Sequence, residues 1–317
     1  MQSIRWGILG CARISRRGLI PGIRGSVGGT LAAIASRDQK TADAWAAEFA
    51  IPRAYGSYQA VLDDPAIDAV YIPLPNELHK PWTIAAADAG KHVLCEKPLA
   101  MDAAEAADMA AHCRAHGVLL MEAFMWRHQP RTAGLLKLVA EGTIGELRLV
   151  RTSFSFPVDP SDWRLNPGQG GGSLFDIGTY GLNSARLFAG GEPSQIRSLG
   201  KFGPTGVDLS IAASMEFPGG VIGQFDCSFE QAFRCEYEIV GTLGSIKVPD
   251  AYLPPEVPTA LLHRPSGVET LTFDGRDQYA CMVDAFHASI AAGALVAPAE
   301  DGVAQMRAIE ATLAASR

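Results

Sequence analysis

Two opposite charges follow directly on an apolar run in the segment HVLCEKPLA, residues 92–100. Glu96 and Lys97 stand at the end of that run, and Pro98 then restricts the backbone. An ammonium group beside a reacting hydroxyl lowers the pKa of the hydroxyl and stabilises a developing alkoxide. The segment therefore indicates alcohol or carbonyl chemistry. The alternative is an ordinary loop ion pair between adjacent Glu and Lys.

A glycine turn near the N-terminus, GILGCARIS at residues 7–15, follows a strand-like run and should open a helix. Gly10 permits a tight turn, and the small Ala12 lets the backbone amides of Ala12, Arg13 and Ile14 approach a diphosphate at the helix N-terminus. Ser15 takes the third glycine position of the G-x-G-x-x-G pattern, so the fingerprint is degraded. A plain turn is the alternative.

The tip of the second strand should distinguish the two nicotinamide cofactors. It reads Ser36, Arg37 and Asp38. A hydroxyl and a guanidinium suit the 2′-phosphate of NADP, whereas a carboxylate at this place would accept hydrogen bonds from the ribose hydroxyl of NAD. We expect NADP to be preferred, with Asp38 leaving NAD open. The alternative for Arg37 is a solvated loop side chain.

The elements that position these residues alternate between strand and helix up to about residue 122. Such alternation predicts a doubly wound α/β domain with a parallel sheet. The strand-like runs are 4–10, 30–36, 67–75, 91–95 and 117–123, and the helical stretches are 39–49, 77–89 and 102–116. Closely spaced strand-like runs from residue 194 predict antiparallel neighbours, with two helices at about 278–292 and 301–316 closing the chain. We therefore expect two domains, 1–122 and 123–317.

Composition restricts the class of protein. The 317 residues are 48% apolar and carry a net charge of −7 without a basic stripe, so nucleic acid is not an expected partner. The six cysteines never form a CxxC pair, which argues against a metal site or disulfide frame and for a reducing, cytoplasmic location. No stretch of about 18 apolar residues predicts a membrane span, and the N-terminus lacks a signal-peptide pattern.

Six segments, taken together and in order, resemble the glucose-fructose oxidoreductase, inositol dehydrogenase and rhizopine-catabolism family, abbreviated Gfo/Idh/MocA. They are WGILGCARIS, YIPLPNELH, GKHVLCEKPL, MEAFMWRHQP, DWRLNPGQGGGSLFDIGTY and GTLGSIKVP. The resemblance implies an N-terminal Rossmann domain and a C-terminal α/β domain with an open, mostly antiparallel sheet. It also implies NAD(P)-dependent chemistry on sugar hydroxyls or carbonyls, with Lys97 as the active-site lysine and Pro98 after a cis peptide bond.

Two of these segments are most similar to the branch of dimeric dihydrodiol dehydrogenases and NADP-dependent D-xylose 1-dehydrogenases. That branch ends a D-x-G-x-Y motif in tyrosine, here Asp176, Gly178 and Tyr180. Asp176 and Tyr180 are four apart and should share a helix face. We expect Tyr180 to be the general acid/base, helped by Lys97 because a phenol titrates near pH 10 on its own. Asp176 would orient the lysine or a sugar hydroxyl.

The resemblance also implies roles for further residues. Leu74 and Asn76 should contact the cofactor, as should Glu96 and Lys97. His79 should either bind the cofactor ribose or cap the following helix. Trp163, Arg164 and Tyr279 are expected beside the cofactor. Trp126 and Arg127 are expected near the substrate, although packing is the alternative for both tryptophans. One of Phe154 and Phe156 should face the site and the other the core.

These expectations define the function. The leading one is an NADP- or NAD-dependent oxidoreductase acting on a sugar or polyol, with aldose 1-dehydrogenase as the preferred activity. The alternatives are a trans-dihydrodiol dehydrogenase or dicarbonyl reductase, and a non-enzymatic NADP sensor, although a sensor would not need Lys97, Asp176 and Tyr180. The resemblance further implies a homodimer or homotetramer formed through the C-terminal sheet.

Overall fold

The computed structural model describes residues 3–294 and 298–317 of the chain. They form two compact units. The first takes in the described residues up to Gln129 together with those of Arg276–Val303, and the second takes in Pro130–Gly275 with Ala304–Arg317. No helix among the described residues has both the length and the apolar character needed to cross a membrane.

The first unit is built on a six-stranded sheet in the order β3-β2-β1-β4-β5-β6, with every pair parallel. This order changes direction between β1 and β4, which is the place where ligands bind in such sheets. Most strand residues are buried, as expected for a sheet covered on both faces. The strands are β1 (Ile4–Leu9), β2 (Gly29–Ala35), β3 (Arg53–Tyr55), β4 (Ala69–Ile72), β5 (His92–Cys95) and β6 (Leu120–Glu122).

Helices connect these strands, and several begin at a side chain that accepts a hydrogen bond from a backbone N–H three residues later, the usual N-cap arrangement. The caps are Asp38, Ser57, Asp102 and Asp277. The helices assigned to the first unit are α1 (Ile20–Gly25), α2 (Gln39–Glu48), α3 (Tyr58–Leu62), α4 (His79–Asp88), α5 (Ala103–Ala115) and α8 (Gln278–Ala292). A π-helical segment, Ser15–Leu19, precedes α1.

Helix α8 belongs to the first unit although it lies far along the chain. Trp6 on β1 donates its indole Nε1–H to Nε2 of His287 over 2.9 Å, and Nδ1 of His287 lies 3.2 Å from the Val27 carbonyl oxygen. Gly18 and Gly22 have no side chain where Tyr279 packs, since a Cβ on either would approach it to 2.6 Å. The compact units thus differ from the expected ranges 1–122 and 123–317.

The second unit is built on an eight-stranded sheet in the order β14-β13-β12-β11-β7-β10-β9-β8. All its neighbouring pairs are antiparallel except β7 with β10, which are parallel. The strands are β7 (Leu147–Ser155), β8 (Gln195–Phe202), β9 (Asp208–Glu216), β10 (Ile222–Ser228), β11 (Arg234–Gly241), β12 (Ser245–Val248), β13 (Thr259–Arg264) and β14 (Gly267–Thr272). The predicted fold class, a Rossmann domain with a mostly antiparallel second sheet, is confirmed.

Burial alternates along the central strands of this sheet, so that one face is covered and the other is more exposed. Helix α7 (Thr179–Ala189) packs on the covered face against β7 and β10. Gly181 allows this close packing because a Cβ there would lie 2.7 Å from Cβ of Phe225. The other helices of the unit are α6 (Pro130–Ala140) and the part of α9 (Ala299–Ala315) that follows Val303.

Candidate active site

The turn after β1 has the backbone that a dinucleotide-binding glycine turn requires. Gly10 has φ +122°, which disfavours any side chain, and a Cβ there would lie 2.9 Å from Cδ2 of Leu74. Helical structure begins at Arg13, so Ala12 stands at the N-cap position, where its methyl side chain cannot accept a hydrogen bond. The backbone N–H groups around Ala12 therefore have the position at a helix start that favours an anion.

The tip of β2 separates the roles of its three polar residues. Oδ2 of Asp38 accepts hydrogen bonds from the backbone N–H of Thr41 at 3.0 Å and from its hydroxyl at 2.7 Å, and these bonds lower the pKa of Asp38. Asp38 is thus the cap of α2. Oγ of Ser36 accepts from the Asp38 N–H. Arg37 is exposed and lies near the Tyr58 hydroxyl, which borders the Gly10 turn.

The active-site lysine candidate lies in the loop after β5. The Lys97–Pro98 peptide bond is cis, as the resemblance implied. Oε1 of Glu96 accepts a hydrogen bond of 2.5 Å from the hydroxyl of Tyr71 on β4, and Oε2 accepts from the Lys97 backbone N–H at 3.3 Å. Glu96 therefore ties the backbone of the loop to the neighbouring strand. Tyr71 was not among the predicted site residues because a tyrosine inside an apolar strand has the pattern of a core residue.

Two further side chains hold this loop. Nδ1 of His79 lies 3.0 Å from the Pro98 carbonyl oxygen and Nε2 lies 2.9 Å from that of Leu74, so the ring joins the loops after β4 and β5. Glu122, at the end of β6, accepts the N–H of Leu99 at 2.9 Å. Burial lowers the pKa of His79 to about 4, although the two carbonyl groups act in the opposite direction.

The ribose contact expected as one alternative for His79 needs correction. The side chain is fully buried, and both ring nitrogens face backbone carbonyl oxygens. It therefore positions the loops that carry Leu74 and Lys97 instead of offering an atom to a ligand. Leu74 and Asn76 are themselves largely buried at the start of the same loop.

The remaining predicted residues of the first unit lie in different surroundings. Trp126 is fully buried, which fits the packing alternative better than a substrate contact. Arg127 forms an ion pair with Asp301. Tyr279 covers Gly18 and Gly22, and burial with the nearby charge of Glu96 raises its pKa. Its ring therefore supports the helix that follows the glycine turn.

In the second unit, the predicted catalytic motif lies where a helix begins irregularly. Asp176 belongs to a π-helical segment, Leu174–Gly178, and Tyr180 is in the first turn of α7. Segments of this kind occur frequently at functional sites. Oδ2 of Asp176 accepts a hydrogen bond of 2.6 Å from Nε of Arg164, whose guanidinium also contacts Asp162 at 3.2 Å. Burial lowers the pKa of Arg164, but the two carboxylates outweigh burial and raise it.

The pairing of Arg164 with Asp176 is a contact that the expected roles did not include. Asp176 was expected to orient a lysine or a sugar hydroxyl, and Arg164 to face the cofactor. The structure shows that each side chain contacts the other, and that Trp163 lies beside them with its ring 5.2 Å from the Arg164 guanidinium carbon. Trp163 remains 36% exposed, so it can offer a stacking surface.

The cluster of glycines before this helix positions Arg164. A Cβ on Gly171 would lie 2.3 Å from the Arg164 carbonyl oxygen, and one on Gly172, which has φ +126°, would lie 2.3 Å from Oδ1 of Asp208. Oδ2 of Asp208 accepts from the Ser173 hydroxyl and the Leu174 N–H, each at 2.7 Å. Sequence reasoning missed Asp208, since nothing near residue 208 indicates a partner 35 positions earlier in the chain.

The ring of Tyr180 lies in an aromatic cluster. Its centroid is 4.6 Å from that of Tyr252 and 5.7 Å from that of Phe154, and only 6% of the residue is exposed. Phe156 contacts Phe154 at a centroid distance of 5.9 Å. Which of these two phenylalanines faces a substrate stays a prediction.

The first unit fits a dinucleotide on its own observations. The turn at Gly10 would be filled by any Cβ, the helix start after it has no side-chain cap, and an exposed arginine ends β2. The residues that would hold the cofactor are Gly10, Ala12, Arg13, Ile14, Ser36, Arg37, Leu74, Asn76 and Glu96. We find no comparable glycine turn at a parallel strand end in the described part of the second unit.

Comparison with known proteins assigns both parts of the chain to one family. Residues 4–124 match the oxidoreductase family with an NAD-binding Rossmann fold, and residues 133–247 match the GFO/IDH/MocA C-terminal domain. The chain is 40% identical to D-xylose 1-dehydrogenase (NADP(+)) 2 of Haloferax volcanii, over 96% of this chain and 95% of that protein. It is 34% identical to trans-1,2-dihydrobenzene-1,2-diol dehydrogenase of Mus musculus, over 81% and 78%.

Among solved structures, a similar one is KijD10, a 3-ketoreductase from Actinomadura kijaniata in complex with NADP and TDP-benzene. It is 33% identical, with a TM-score of 0.93 over 100% of this chain and 98% of that one. The match to the family covers both units, and it agrees with the parallel sheet, the glycine turn and the cis-proline loop described above. The chain therefore belongs to the Gfo/Idh/MocA family of NAD(P)-dependent oxidoreductases.

Proposed function

We propose that this protein is an NADP-dependent aldose 1-dehydrogenase that oxidises the C1 hydroxyl of a pentose such as D-xylose. The observation that carries the proposal is the D-x-G-x-Y motif at an irregular helix start, together with a lysine on a cis-proline loop at the end of a Rossmann strand. The similarity over almost the whole chain to a D-xylose 1-dehydrogenase supports the choice of substrate.

Each side chain would do a separate part of the work. NADP, when bound, supplies the acceptor for a hydride. Tyr180 would take the proton of the substrate hydroxyl through its phenolic oxygen, and the ammonium of Lys97 would stabilise negative charge that develops on oxygen. Arg164 and Asp176 would hold the helix start that carries Tyr180, because their ion pair joins it to the preceding loop.

Cofactor preference would be set at the tip of β2. Asp38 is engaged as a helix cap, so its carboxylate already has donors, whereas Arg37 is exposed beside the Gly10 turn. A guanidinium suits a 2′-phosphate better than a ribose hydroxyl. These two observations support NADP over NAD.

A second candidate, trans-dihydrodiol oxidation, is favoured by one observation. The ring of Tyr180 is surrounded by Phe154 and Tyr252, with Phe156 next to them, and an aromatic surface suits an aromatic diol. The relative that acts on trans-1,2-dihydrobenzene-1,2-diol supports the same alternative.

The test is a substrate screen that follows NADPH formation with pentoses, hexoses, inositols and trans-dihydrodiols, each with NADP and with NAD. We expect the highest kcat/KM for a pentose with NADP. A higher kcat/KM for a dihydrodiol would replace the leading candidate by the second. Absence of turnover with every substrate, together with tight NADP binding, would favour an NADP sensor.

Two variants test the assigned residues. Lys97→Met and Tyr180→Phe should each lower kcat by about a hundredfold or more, the range for loss of a general acid/base, while the NADP Kd changes little. Tyr55→Phe, which removes a hydroxyl bonded to Asp64, and Lys137→Met, on the surface, are the controls and should leave kcat unchanged. Normal kcat in Lys97→Met would remove this lysine from the mechanism.

The exposed face of the second sheet is the proposed contact between copies of the chain. Leu199 on β8 is 81% exposed and Ile222 on β10 is 38% exposed, with the small residues Ala212 and Ser214 between their strands. Exposed apolar side chains on one sheet face suit self-association. Light scattering after size-exclusion chromatography should give a dimer or tetramer for the wild type and a smaller species for Leu199→Asp. A cytoplasmic location stays a prediction from the cysteine pattern.

A further inference from the structure

Three side chains of types that bind metals lie close together in the first unit, at the C-terminal ends of α4 and α5. Asp88 is the last residue of α4, His112 lies in the last turn of α5, and His116 follows that helix as its C-cap. Oδ1 of Asp88 lies 2.7 Å from Nε2 of His112 and 3.3 Å from Nε2 of His116. All three donor atoms lie within 4.8 Å of one another.

The arrangement of the two histidines suits metal binding. They are four residues apart on one helix face, and their rings stack with centroids 4.2 Å apart. Nδ1 of His116 lies 3.0 Å from the His112 carbonyl oxygen, so this nitrogen must carry the proton and donate it. Nε2 of a neutral His116 is therefore the nitrogen with a lone pair. A ring held through its other N–H in this way is the usual arrangement of a metal-bound histidine.

The distances suit a small tetrahedral ion. Zinc binds histidine nitrogen and carboxylate oxygen at about 2.0–2.2 Å, so neighbouring ligand atoms in a tetrahedron lie about 3.4 Å apart. The separation of 3.3 Å between Asp88 and His116 already agrees with this value, whereas His112 needs to move away from Asp88 by less than about 1 Å.

The surroundings favour a cation. Both helices end at this place, and the C-terminal end of a helix carries partial negative charge. The side chains of His112, His116 and Asp88 are 31%, 38% and 57% exposed, so an ion can reach them from solvent with water in its remaining position. Two imidazoles with one carboxylate suit zinc, copper or nickel better than magnesium or calcium.

We propose that Asp88, His112 and His116 form a binding site for a divalent transition-metal ion of the zinc class, which joins the ends of α4 and α5. The site is separate from the residues assigned to cofactor and substrate. Its consequence would be a metal-dependent stability of the first unit, because an ion that binds only the folded chain stabilises it by mass action. The alternative is that the cluster binds no ion and that Asp88 and His112 form an ordinary surface ion pair.

The experiment is a titration of the full-length chain with zinc chloride after treatment with a chelator, read by isothermal calorimetry and by thermal unfolding. We expect one zinc ion per chain and a rise in Tm with added zinc. His116→Gln and Asp88→Asn should each weaken binding at least about tenfold, since even loss of an indirect partner of a metal ligand costs that much. The double variant His112→Gln with His116→Gln should show neither binding nor a rise in Tm.

Matched controls keep the result decisive. His263→Gln removes a histidine on β13, outside the cluster, and should bind zinc as the wild type does. Magnesium chloride should give no heat and no change in Tm. Absence of zinc binding by the wild type, or unchanged binding by the double variant, would overturn the proposal. The far-UV circular dichroism spectrum of every variant, measured in parallel, shows that each is folded.

Discussion

Two helices of this protein begin after a glycine-bearing turn, one in each unit, and each has a π-helical segment in its first turns. In the first unit the turn at Gly10 leads into a helix whose irregular segment has no side-chain cap. In the second unit the glycines before Ser173 lead into a helix start that is capped by Asp208. Its carboxylate accepts hydrogen bonds from the Ser173 hydroxyl and the Leu174 N–H. We propose that the first helix start binds an external anion, whereas the second already has an internal one, the carboxylate of Asp208.

The comparison shows that glycine spacing alone does not identify an anion site. Gly10, Gly171 and Gly172 are all required by close approach of other atoms, yet at Gly172 the approaching atom is the carboxylate of the protein itself. In the proposed function, the helix after Gly10 would receive a phosphate of the cofactor and release it after each turnover. The helix that is capped internally carries Tyr180, the proposed general acid/base, in its first turn.

The largest expected effect follows from removing the internal anion. Asp208→Ala leaves the Ser173 hydroxyl and the Leu174 N–H without their acceptor in a buried place. Loss of a cap together with an unsatisfied buried donor should lower the free energy of unfolding by about 3–4 kcal/mol. Urea unfolding measures the loss, and NADP affinity should remain close to that of the wild type. The exposed cap Asp277 is the control, where alanine should cost only about 1 kcal/mol.

The next effect comes from closing the external site. Gly10→Ala places a side chain at φ +122°, which costs about 1–3 kcal/mol, and brings its Cβ to 2.9 Å from Leu74. Both Tm and NADP affinity should fall because the turn must shift to relieve the contact. Gly90→Ala is the control, since Gly90 also has positive φ but no neighbour within 4 Å. Equal NADP affinity in both variants would show that the Gly10 turn does not bind the diphosphate.

A smaller effect should separate the two cofactors. Arg37→Ala removes the exposed guanidinium at the end of β2. A charge-assisted hydrogen bond contributes about 1.5–3 kcal/mol, and exposure to solvent reduces it, so we expect the Kd for NADP to rise about tenfold. The Kd for NAD should change little. Fluorescence titration with both cofactors measures the ratio, and equal changes would remove Arg37 from recognition of the 2′-phosphate.

The smallest effect is a pH dependence of the internal site. Burial raises the pKa of Asp208, outweighing the hydrogen bonds from Ser173 and Leu174 that lower it. The native state therefore binds a proton more readily than the unfolded chain, so acidification toward the raised pKa stabilises the native state. The variant Asp208→Asn has no carboxyl to protonate here and should not gain stability from acidification in this way. The stability of the wild type relative to this variant should rise in urea unfolding as the pH falls from neutrality to 3.8, the ordinary pKa of an aspartate. A constant difference over this range would contradict the raised pKa.

The first helix start could be predicted from sequence because its signals are local. Gly10 follows an apolar run directly, Arg37 ends the next run, and Lys97 with Pro98 ends another, so the parallel order of the strands brings these places to one edge of the sheet. The cis bond before Pro98 came from the resemblance and not from the residues alone.

The second helix start could not be predicted in the same way because its partners are far apart in sequence. Nothing local pairs Asp208 with Ser173, and Arg164 was assigned to the cofactor because its partner Asp176 was considered separately. The parallel pairing of β7 with β10 was missed for a related reason, since close spacing predicted only antiparallel neighbours. The β13–β14 hairpin did carry a signal, the turn at Pro265 and Ser266 between two alternating runs.

The bond between Trp6 and His287 has a consequence for synthesis of the protein on the ribosome. Because α8 contributes both His287 and Tyr279 to the unit that starts at β1, the first unit cannot be completed before α8 has been translated. Until then, a nascent chain would expose the indole of Trp6 and the surface at Gly18 and Gly22 that Tyr279 covers. Shortened chains that stop before α8 are therefore expected to bind chaperones and not to fold as independent cofactor-binding domains.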